Sequence, residues 1–314
     1  MDTYSMGRIE FANPEVIELL RHVSPIPVDQ HNMAIRYQCL SQSLQEVHQL
    51  YRLYDWNRQV FFNNIILTAN DAVSYKNESL QMTDDILFDV NGCIGNILSA
   101  GRNLVDSFEA TLKTECGPDS QYYQRYKECA SNEYDSNAGY FLLYELRNFV
   151  QHGHLIVSLA KDPEGIRARL DPYQLLSPSR LDVKEKVRAY LQQAIDRIEG
   201  LGDRPFLSLG FYLEPYNVAV LELYCQFLKQ LSPEVSTVSH EFHAYLKAHQ
   251  QMVGHFPDGS SFAFYEKEDT QHILNGIDQR LSNIHKHRIK AVTKSLTAAR
   301  KELTDMNKGI RYLS

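Results

Sequence analysis

The residues best suited to chemistry lie in one segment near the middle of the chain, residues 144–154. In this segment Arg147 stands five residues before His152, with Asn148 directly after the arginine and Gln151 directly before the histidine. A neutral imidazole titrates near physiological pH and acts as a base or an acid, whereas a guanidinium group stays charged and bonds two oxygens of a phosphate. The pair therefore predicts a site that moves a proton and holds a phosphate.

RNA is a substrate for which such a pair would be sufficient, because the 2'-hydroxyl of RNA is itself a nucleophile. His152 would move protons to and from the 2'-hydroxyl and the leaving 5'-oxygen, and Arg147 would hold the phosphate as charge develops in the transition state. Asn148 or Gln151 would orient the site, and His154 competes with His152 for the proton-transfer role. We expect this reaction to need no metal ion and no cofactor.

The same segment has the apolar spacing of a helix over about residues 137–159. On a straight helix at about 100° per residue, Arg147 and His152 are about 140° apart and do not share a face. Asn148 does share a face with His152, because the two are four residues apart.

Two arrangements would bring the arginine and a histidine together. In the first, the helix is distorted near Gly153; if it instead runs straight through that glycine, His154 shares a face with Arg147. In the second, two copies of the chain associate, and the arginine of one copy meets His152 of the other. The sequence leaves both arrangements open.

The spacing alone is not specific, because Arg280 and His285 repeat it. What differs is the residue after the arginine, which is Leu281 there and Asn148 in the central segment. Arg102 lies on an upstream helix; it would border the site if that helix packs against the central one, and would otherwise belong to a solvated face.

With its flanking sequence, the central segment resembles the HEPN family (higher eukaryotes and prokaryotes nucleotide-binding) over about residues 40–160. The resemblance rests on the Arg-Asn-x3-His pattern and on the order of helical segments before it, which includes residues 96–108, the break at Gly117-Pro118, Tyr134 and Tyr140. It implies a metal-independent endoribonuclease that forms its cleft from two copies of the motif, and thus a homodimer. In bacteria such proteins commonly serve as toxins or in defence against foreign nucleic acid, so an antitoxin or regulatory protein is a further expected partner.

Helical spacing dominates the whole chain and predicts an all-α protein, with strand-like character only at 203–212 and 256–265. We expect a four-helix-bundle HEPN-like domain followed by a second, mainly helical domain. The expected divisions are an N-terminal arm (1–40), the bundle (41–160), a linker rich in helix breakers (161–180) and the C-terminal domain (181–314).

Several helix boundaries can be predicted from local signals. The arm is expected to hold a short helix at about 14–23, and Thr83 is expected to cap the second long helix. Asp119 or Ser120 should cap the next helix. In the second half, one helix is expected to end near Pro233 and another to extend over about 269–307.

The net charge of −7 is unevenly distributed. Residues 280–311 carry nine Lys and Arg against two acidic residues, a local charge of +7 that leaves −14 for the rest. A basic helix on an acidic body can bind RNA phosphates or an acidic partner, although a solvated helix face would have the same composition. The residues expected to contact nucleic acid are Lys286, Arg288, Lys290 and Lys294.

Composition restricts the remaining classes of protein. The five cysteines are widely spaced and form no CxxC pair, which indicates neither a disulfide framework nor a zinc site. His240 and His243 are three residues apart but lack a carboxylate or cysteine to complete a metal site. No apolar run is long enough to span a membrane and no signal peptide is recognised, so we expect a cytoplasmic protein that does not associate with membranes.

Two other classes of function remain open at this stage. In one, the chain keeps the HEPN-like fold without catalysis and serves as a helical binding or scaffold protein. In the other, Arg147 and His152 bind a small phosphorylated ligand.

Overall fold

A computed structural model describes residues 4–13, 16–26, 28–65, 80–152, 154–162, 165–177, 184–199, 207–253, 261–266, 275–277 and 280–311. Most of these residues are helical, which confirms the mainly helical character predicted from the sequence. None of the helices in these ranges has the length and apolarity needed to cross a membrane.

The helices are α1 (Val28–Val60), α2 (Leu80–Cys116), α3 (Gln121–Ser136), α4 (Ala138–Gln151), α5 (Pro172–Leu175), α6 (Glu185–Glu199), α7 (Leu209–Val253) and α8 (Leu281–Arg311), and a π-helical turn, Phe61–Ile65, follows α1. The strands are β1 (Tyr4–Asn13), β2 (Val16–Ile26), β3 (Val157–Asp162), β4 (Gly165–Leu170), β5 (Leu207–Ser208), β6 (Ser261–Glu266) and β7 (Asn275–Ile277).

Helix α7 is the centre of the bundle, and α1, α2, α3, α4 and α8 all pack against it. Aromatic side chains fill these contacts: Phe108 of α2 is fully buried and stacks on Tyr224 and Phe227 of α7, with ring centroids 5.2 and 4.9 Å apart. The buried apolar residues form one cluster that extends from Ala34 to Ala299. The packing thus joins α1–α4 to helices of the second half, and the division into two domains stays a prediction.

The expected helix end near Pro233 is wrong, because α7 continues through this proline to Val253. A proline inside a helix costs about 3 kcal/mol. Pro233 cannot donate to the Lys229 carbonyl, four residues earlier. The preceding carbonyl, of Leu228, accepts hydrogen bonds from the Ser232 hydroxyl (2.8 Å) and from His285 Nε2 of α8 (2.9 Å), which ties this turn to α8. Beyond the proline the apolar face stays buried, as at Phe242, and burial of several such side chains at about 1.5–3 kcal/mol each outweighs the cost.

Strands β2, β1, β6 and β7 form a four-stranded antiparallel sheet in that order. The prediction of a chain without such a sheet, and of a helix at 14–23, is therefore wrong for this part of the molecule. Strand β1 pairs with β2 and also with β6, from Tyr4 opposite Glu266 to Ile9 opposite Ser261. Strand β6 follows β1 by more than 200 residues in the sequence, so no local pattern near β1 could predict this pairing.

A second sheet has the order β3-β4-β5. It begins with a hairpin in which Val157 is opposite Leu170. The predicted continuation of the central helix to residue 159 is wrong, since α4 ends at Gln151. Described residues of the predicted linker likewise belong to β3, β4 and α5.

Other boundaries differ in detail. Ser120 caps α3 as predicted, its side chain accepting a hydrogen bond from the backbone N–H of Tyr123 at 3.2 Å. Thr83 does not cap α2, which already begins at Leu80. The basic helix α8 begins at Leu281, well after the predicted residue 269.

Candidate functional site

The central motif lies at the C-terminal end of α4, against α2. The two helices run antiparallel, because the Arg102 guanidinium lies over the Tyr144 ring whereas Gly95 faces Val150. A Cβ atom at Gly95 would stand 3.3 Å from Val150 Cγ1, which shows how closely the helices approach at this point. Asn137 caps the start of α4, its side chain accepting a hydrogen bond from the Tyr140 N–H at 3.0 Å.

Asn91, a buried residue of α2, fixes the chain that follows the motif. Its Oδ1 accepts hydrogen bonds from the backbone N–H groups of Ile156 (3.2 Å) and Val157 (3.0 Å). Its Nδ2 donates to the carbonyls of Val157 and Leu87, both at 3.0 Å. All four hydrogen-bonding positions of the side chain, two N–H donors and two lone pairs of the oxygen, are thereby used in holding the backbone. This contact draws the chain away from the helical path and into β3.

Arg147 is a cation that no described acidic residue neutralises. Its Nη1 donates to Asn148 Oδ1 at 3.2 Å, and its buried Nε has no hydrogen-bond partner within the described part of the chain. The neighbouring carboxylate of Glu145 is bound elsewhere, to the Tyr134 hydroxyl (2.7 Å) and Lys184 Nζ (2.9 Å). Leaving a buried donor unsatisfied costs about 1–3 kcal/mol, so an anion that accepted from Nε would be bound favourably.

A second guanidinium group stands nearby on α2. Arg102 lies 4.2 Å above the Tyr144 ring, and its Nε donates to Asp106 at 2.8 Å. Burial raises the pKa of the Tyr216 phenol, and the positive charges of Arg102 and Arg147 both oppose this effect. The two arginines therefore act on one buried hydroxyl group at the seam between α2 and α4. Of the two settings that the sequence allowed for Arg102, the structure places it beside the site.

His152 and His154 have different environments. His152 follows the last residue of α4 and is exposed, and its backbone N–H donates to the Asn148 carbonyl at 3.2 Å. Its ring has no hydrogen-bond partner among the residues that the structure describes. The His154 ring is half-buried and stacks on Phe149, with centroids 4.4 Å apart. His152 is thus the more accessible imidazole.

The structure brings Arg147 and Asn148 together and leaves His152 apart from Arg147. No contact joins the Arg147 guanidinium and the His152 ring within one chain, as far as the described residues show. Because α4 ends at Gln151, His154 does not occupy the helical position that would give it the same face as Arg147. Gly153, near which one of the two predicted arrangements placed a distortion of the helix, lies outside the described residues.

A groove of about 470 Å³ begins beside the motif and follows the seam between α2 and α4. Its walls include two exposed apolar side chains, Phe88 (78% exposed) and Leu155 (52% exposed). Gln151 lies at its rim. The lining residues are Asp84, Leu87, Phe88, Asn91, Gly92, Gly95, Asn96, Ser99, Val150, Gln151 and Leu155.

Sequence reasoning missed both the groove and the role of Asn91. The available signal for Asn91 was its position beside the apolar residues Val90 and Ile94 of this helix, because an asparagine needs hydrogen-bond partners when it is buried. The sequence contained no comparable signal for the groove, which exists only where two distant helices meet.

The predicted nucleic-acid contacts on α8 divide into two groups. Lys286, Lys290 and Lys294 are exposed and make no ion pair with any described residue. Arg288 is half-buried: its Nη1 donates to the Leu44 carbonyl at 2.9 Å and its Nη2 to Gln45 Oε1 at 2.6 Å. The lysines are available to a ligand, whereas Arg288 ties α8 to α1.

The second Arg-x4-His spacing has a structural explanation. His285 is 3% exposed, and its Nε2 donates to the Leu228 carbonyl. Burial lowers the pKa of its imidazole to about 4. A neutral, buried histidine of this kind supports packing between α7 and α8 and is not accessible to RNA.

Metal ligation finds no geometric support in the described residues, where no group of three His, Cys, Asp or Glu side chains could hold an ion. His243, one of the two closely spaced histidines, donates from Nδ1 to the Ser239 carbonyl at 2.5 Å. No family model, no curated protein and no solved structure matches this chain. Its function therefore has to be inferred from its own residues.

Proposed function

We propose that the chain is a metal-independent endoribonuclease of the HEPN type. Arg147 holds the scissile phosphate, His152 moves protons to and from the 2'-hydroxyl and the 5'-oxygen, and Asn148 orients the guanidinium group. The observation that carries the proposal is the state of Arg147: it has no acidic partner among the described residues, and its buried Nε lacks an acceptor. A phosphate oxygen is an acceptor that such a group would bind strongly.

The exposed His152 ring supports its role as the proton carrier. A general acid or base must lie within hydrogen-bond reach of the proton that it moves, and an exposed imidazole meets this condition more readily than a stacked or buried one. His154 is held against Phe149 and His285 is buried between helices. Gln151, at the rim of the groove, is a second amide that could orient the RNA.

The separation of Arg147 from His152 within one chain supports a homodimer as the active form. In this arrangement two copies associate through the end of α4, and His152 of one copy approaches the phosphate bound by Arg147 of the other. The exposed polar side chains of Asn148 and His152 are available for this contact.

RNA binding would extend to α8. Its free lysines form a row with about 6 Å of helix rise between successive members, because each is four residues after the last. Such a row attracts the phosphates of RNA and makes the affinity depend on salt concentration. The row consists of Lys286, Lys290 and Lys294.

The biological setting that we propose is the bacterial one implied by the resemblance. The protein would act as a toxin or in defence against foreign nucleic acid, in the cytoplasm, under control of an antitoxin or regulatory protein. An alternative is a catalytically silent HEPN-like binding or scaffold protein. This alternative holds if two copies do not associate through the end of α4, because the described residues of one copy make no Arg147–His152 contact.

The decisive experiment is incubation of the purified full chain with bulk RNA in the presence of a chelator. Arg147→Ala and His152→Ala should each lower the cleavage rate by about 10² to 10⁴, the usual range for loss of a general acid or base, with helicity unchanged. Products should end in a 2',3'-cyclic phosphate or its hydrolysis product. Matched controls are Arg125→Ala and His240→Ala, which remove exposed residues of the same types on other helices.

The outcomes of this experiment distinguish a ribonuclease from a binding or scaffold protein. Loss of activity in His154→Ala, with His152→Ala tolerated, would shift the site by two residues. Cleavage that is lost on addition of chelator would contradict the metal-independent reaction. If wild-type protein does not cleave RNA, or if neither histidine matters, the binding or scaffold reading replaces the ribonuclease.

A further inference from the structure

We propose that the groove between α2 and α4 is a base-binding subsite, which takes unpaired bases of the RNA next to the phosphate held by Arg147. The proposal rests on the ribonuclease function and names the substrate feature that the groove recognises. Four properties of the groove carry it: its position, its shape, its exposed aromatic side chain and its distribution of charge.

The position follows from the antiparallel pairing of the helices. Arg102 meets Tyr144 and Gly95 meets Val150, so Ser99, which lies between Gly95 and Arg102, is at the level of Arg147. Ser99 lines one end of the groove. A phosphate on the Arg147 guanidinium would therefore lie at the mouth of the groove, with its attached nucleoside facing inward.

The length of the groove suits a nucleoside and its neighbour. From Ser99 to Phe88 there are eleven residues of helix, which corresponds to about 16 Å at 1.5 Å per residue. This is longer than one base. The volume of about 470 Å³ is within the range of about 300–1,000 Å³ that is usual for small-ligand pockets.

The floor of the groove is shaped by glycine. At Gly92 an added Cβ atom would have no neighbour within 4 Å, so the space above this residue is open. At Gly95 the floor is closed by Val150. A planar ring can lie on such a surface, because no side chain projects from the helix at Gly92.

Phe88 provides a stacking surface. It is 78% exposed, the highest value among the exposed large apolar residues of the described chain, and Leu155 at 52% stands on the other wall. Exposed aromatic rings serve as platforms for unpaired bases, since every base has a face that can stack.

The charged groups near the two ends of the groove have opposite signs. Arg147 is level with one end along the helix axis, and Asp84 lines the other, with Asp85 and Asp89 exposed on the same helix. Phosphate is attracted to the first end and repelled from the second. A carboxylate instead accepts hydrogen bonds from the amino groups of bases, so the groove matches a nucleotide that enters with its base leading.

Amide side chains complete the base contacts. Asn96 and Gln151 are among the residues that line the groove, and an amide both donates to and accepts from the edges of a base. A groove between two helices cannot receive a base that is paired in a duplex, because duplex RNA shows its base edges only through its grooves. The substrate is therefore single-stranded at the cleavage position.

The test measures binding of a short fluorescent single-stranded RNA by anisotropy, on a His152→Ala background that prevents cleavage. Phe88→Ala should weaken binding by about 5- to 150-fold, the range found for loss of one base-stacking contact. Gly92→Leu, whose Cβ atom would have no neighbour within 4 Å and whose side chain would occupy the groove, should weaken it similarly. Phe211→Ala, which removes an exposed phenylalanine of α7, is the matched control and should bind as the parent does.

An RNA of the same length with abasic positions separates base contacts from phosphate contacts. Phe88→Ala should no longer weaken binding to this RNA, whereas Arg147→Ala should weaken binding to both RNAs. Unchanged affinity in both groove variants, or an equal loss with abasic RNA, would overturn the proposal. A fall in molecular mass for Phe88→Ala, with RNA affinity intact, would overturn it in favour of an interface with a second copy.

The failure of this proposal is distinguishable from failure of the proposed function. If Arg147→Ala and His152→Ala abolish cleavage while the groove variants bind normally, the ribonuclease stands and the base subsite does not. If the groove variants lose affinity for base-containing RNA while Arg147→Ala and His152→Ala cleave at the parental rate, the groove binds RNA and the catalytic assignment fails.

Discussion

Asn91 offers the sharpest test of how the structure holds the site. In the Asn91→Ala variant three backbone groups lose their partners, namely the N–H groups of Ile156 and Val157 and the carbonyl of Val157. The Leu87 carbonyl is less affected because it lies inside α2. At a net value of about 0.5–1.5 kcal/mol per hydrogen bond, the loss amounts to about 2–4 kcal/mol.

The measurement is the free energy of unfolding in urea, followed by far-UV circular dichroism, for the variant and the parent under the same conditions. Hydrogen exchange should also accelerate at the amides of Ile156 and Val157. RNA cleavage should fall, although Arg147 and His152 are unchanged, because the segment that follows His152 is no longer fixed to α2.

The Asn91→Asp variant distinguishes the hydrogen bonds that Asn91 accepts from those that it donates. Its Oδ1 still accepts from the backbone, but the second oxygen faces the carbonyls of Leu87 and Val157 where Nδ2 donated before. Burial and these carbonyls should raise the pKa of the introduced carboxyl. A raised folded-state pKa means that stability is present below the unfolded value of about 3.9 and is lost as pH rises through the folded value.

The expected result is a variant close to the parent in stability near pH 4 and clearly less stable at pH 7, with the parent measured at both pH values. A loss of less than about 1 kcal/mol in Asn91→Ala would refute the reasoning, because it would fall below even the low end of three net hydrogen bonds. So would an Asn91→Asp variant whose deficit relative to the parent does not change with pH.

Three further outcomes are expected. Light scattering at micromolar concentration should give twice the chain mass of 36.2 kDa, and a monomer with full activity would argue against the shared cleft. Changing Lys286, Lys290 and Lys294 of α8 together to Gln should weaken RNA binding. It should also reduce the slope of log affinity against log salt by about 2 to 3, at about 0.7–0.9 per phosphate contact. An unchanged slope would remove α8 from the interface, and the control variant Arg288→Gln should instead lower stability. Because burial lowers the pKa of His285 to about 4, its contribution to stability is present above pH 6.5 and is lost as pH falls toward 4. His285→Gln should therefore lose about 2 kcal/mol less than the parent between pH 7 and pH 5, and an identical loss would contradict this assignment.

The sequence by itself determined the elements whose signals are local. The apolar spacing of α2 and the Ser120 cap of α3 are each defined by residues within a few turns, and both are observed. The mainly helical character follows from the same spacing. The availability of an arginine, two amides and a histidine at one place in the chain was also readable, because it depends only on residue types and their order.

The tertiary structure decided where that local order stops. Helix α4 ends at Gln151 because Asn91, some sixty residues earlier, binds the backbone of Ile156 and Val157. Strand β2 forms in a segment that reads as helix because β1 supplies its hydrogen bonds, and β1 in turn pairs with β6 near the other end of the sequence.

At the candidate site, too, the tertiary structure decided what the sequence did not show. Whether Glu145 neutralises Arg147 cannot be read from their spacing, and the structure shows that Glu145 is bound by Tyr134 and Lys184. Arg288 and Lys290 look alike in a basic run, yet only Arg288 is held by α1. A side chain's partners are chosen by the packing of distant elements, because hydrogen bonds and charges act over a few ångströms of space, whatever the separation along the chain.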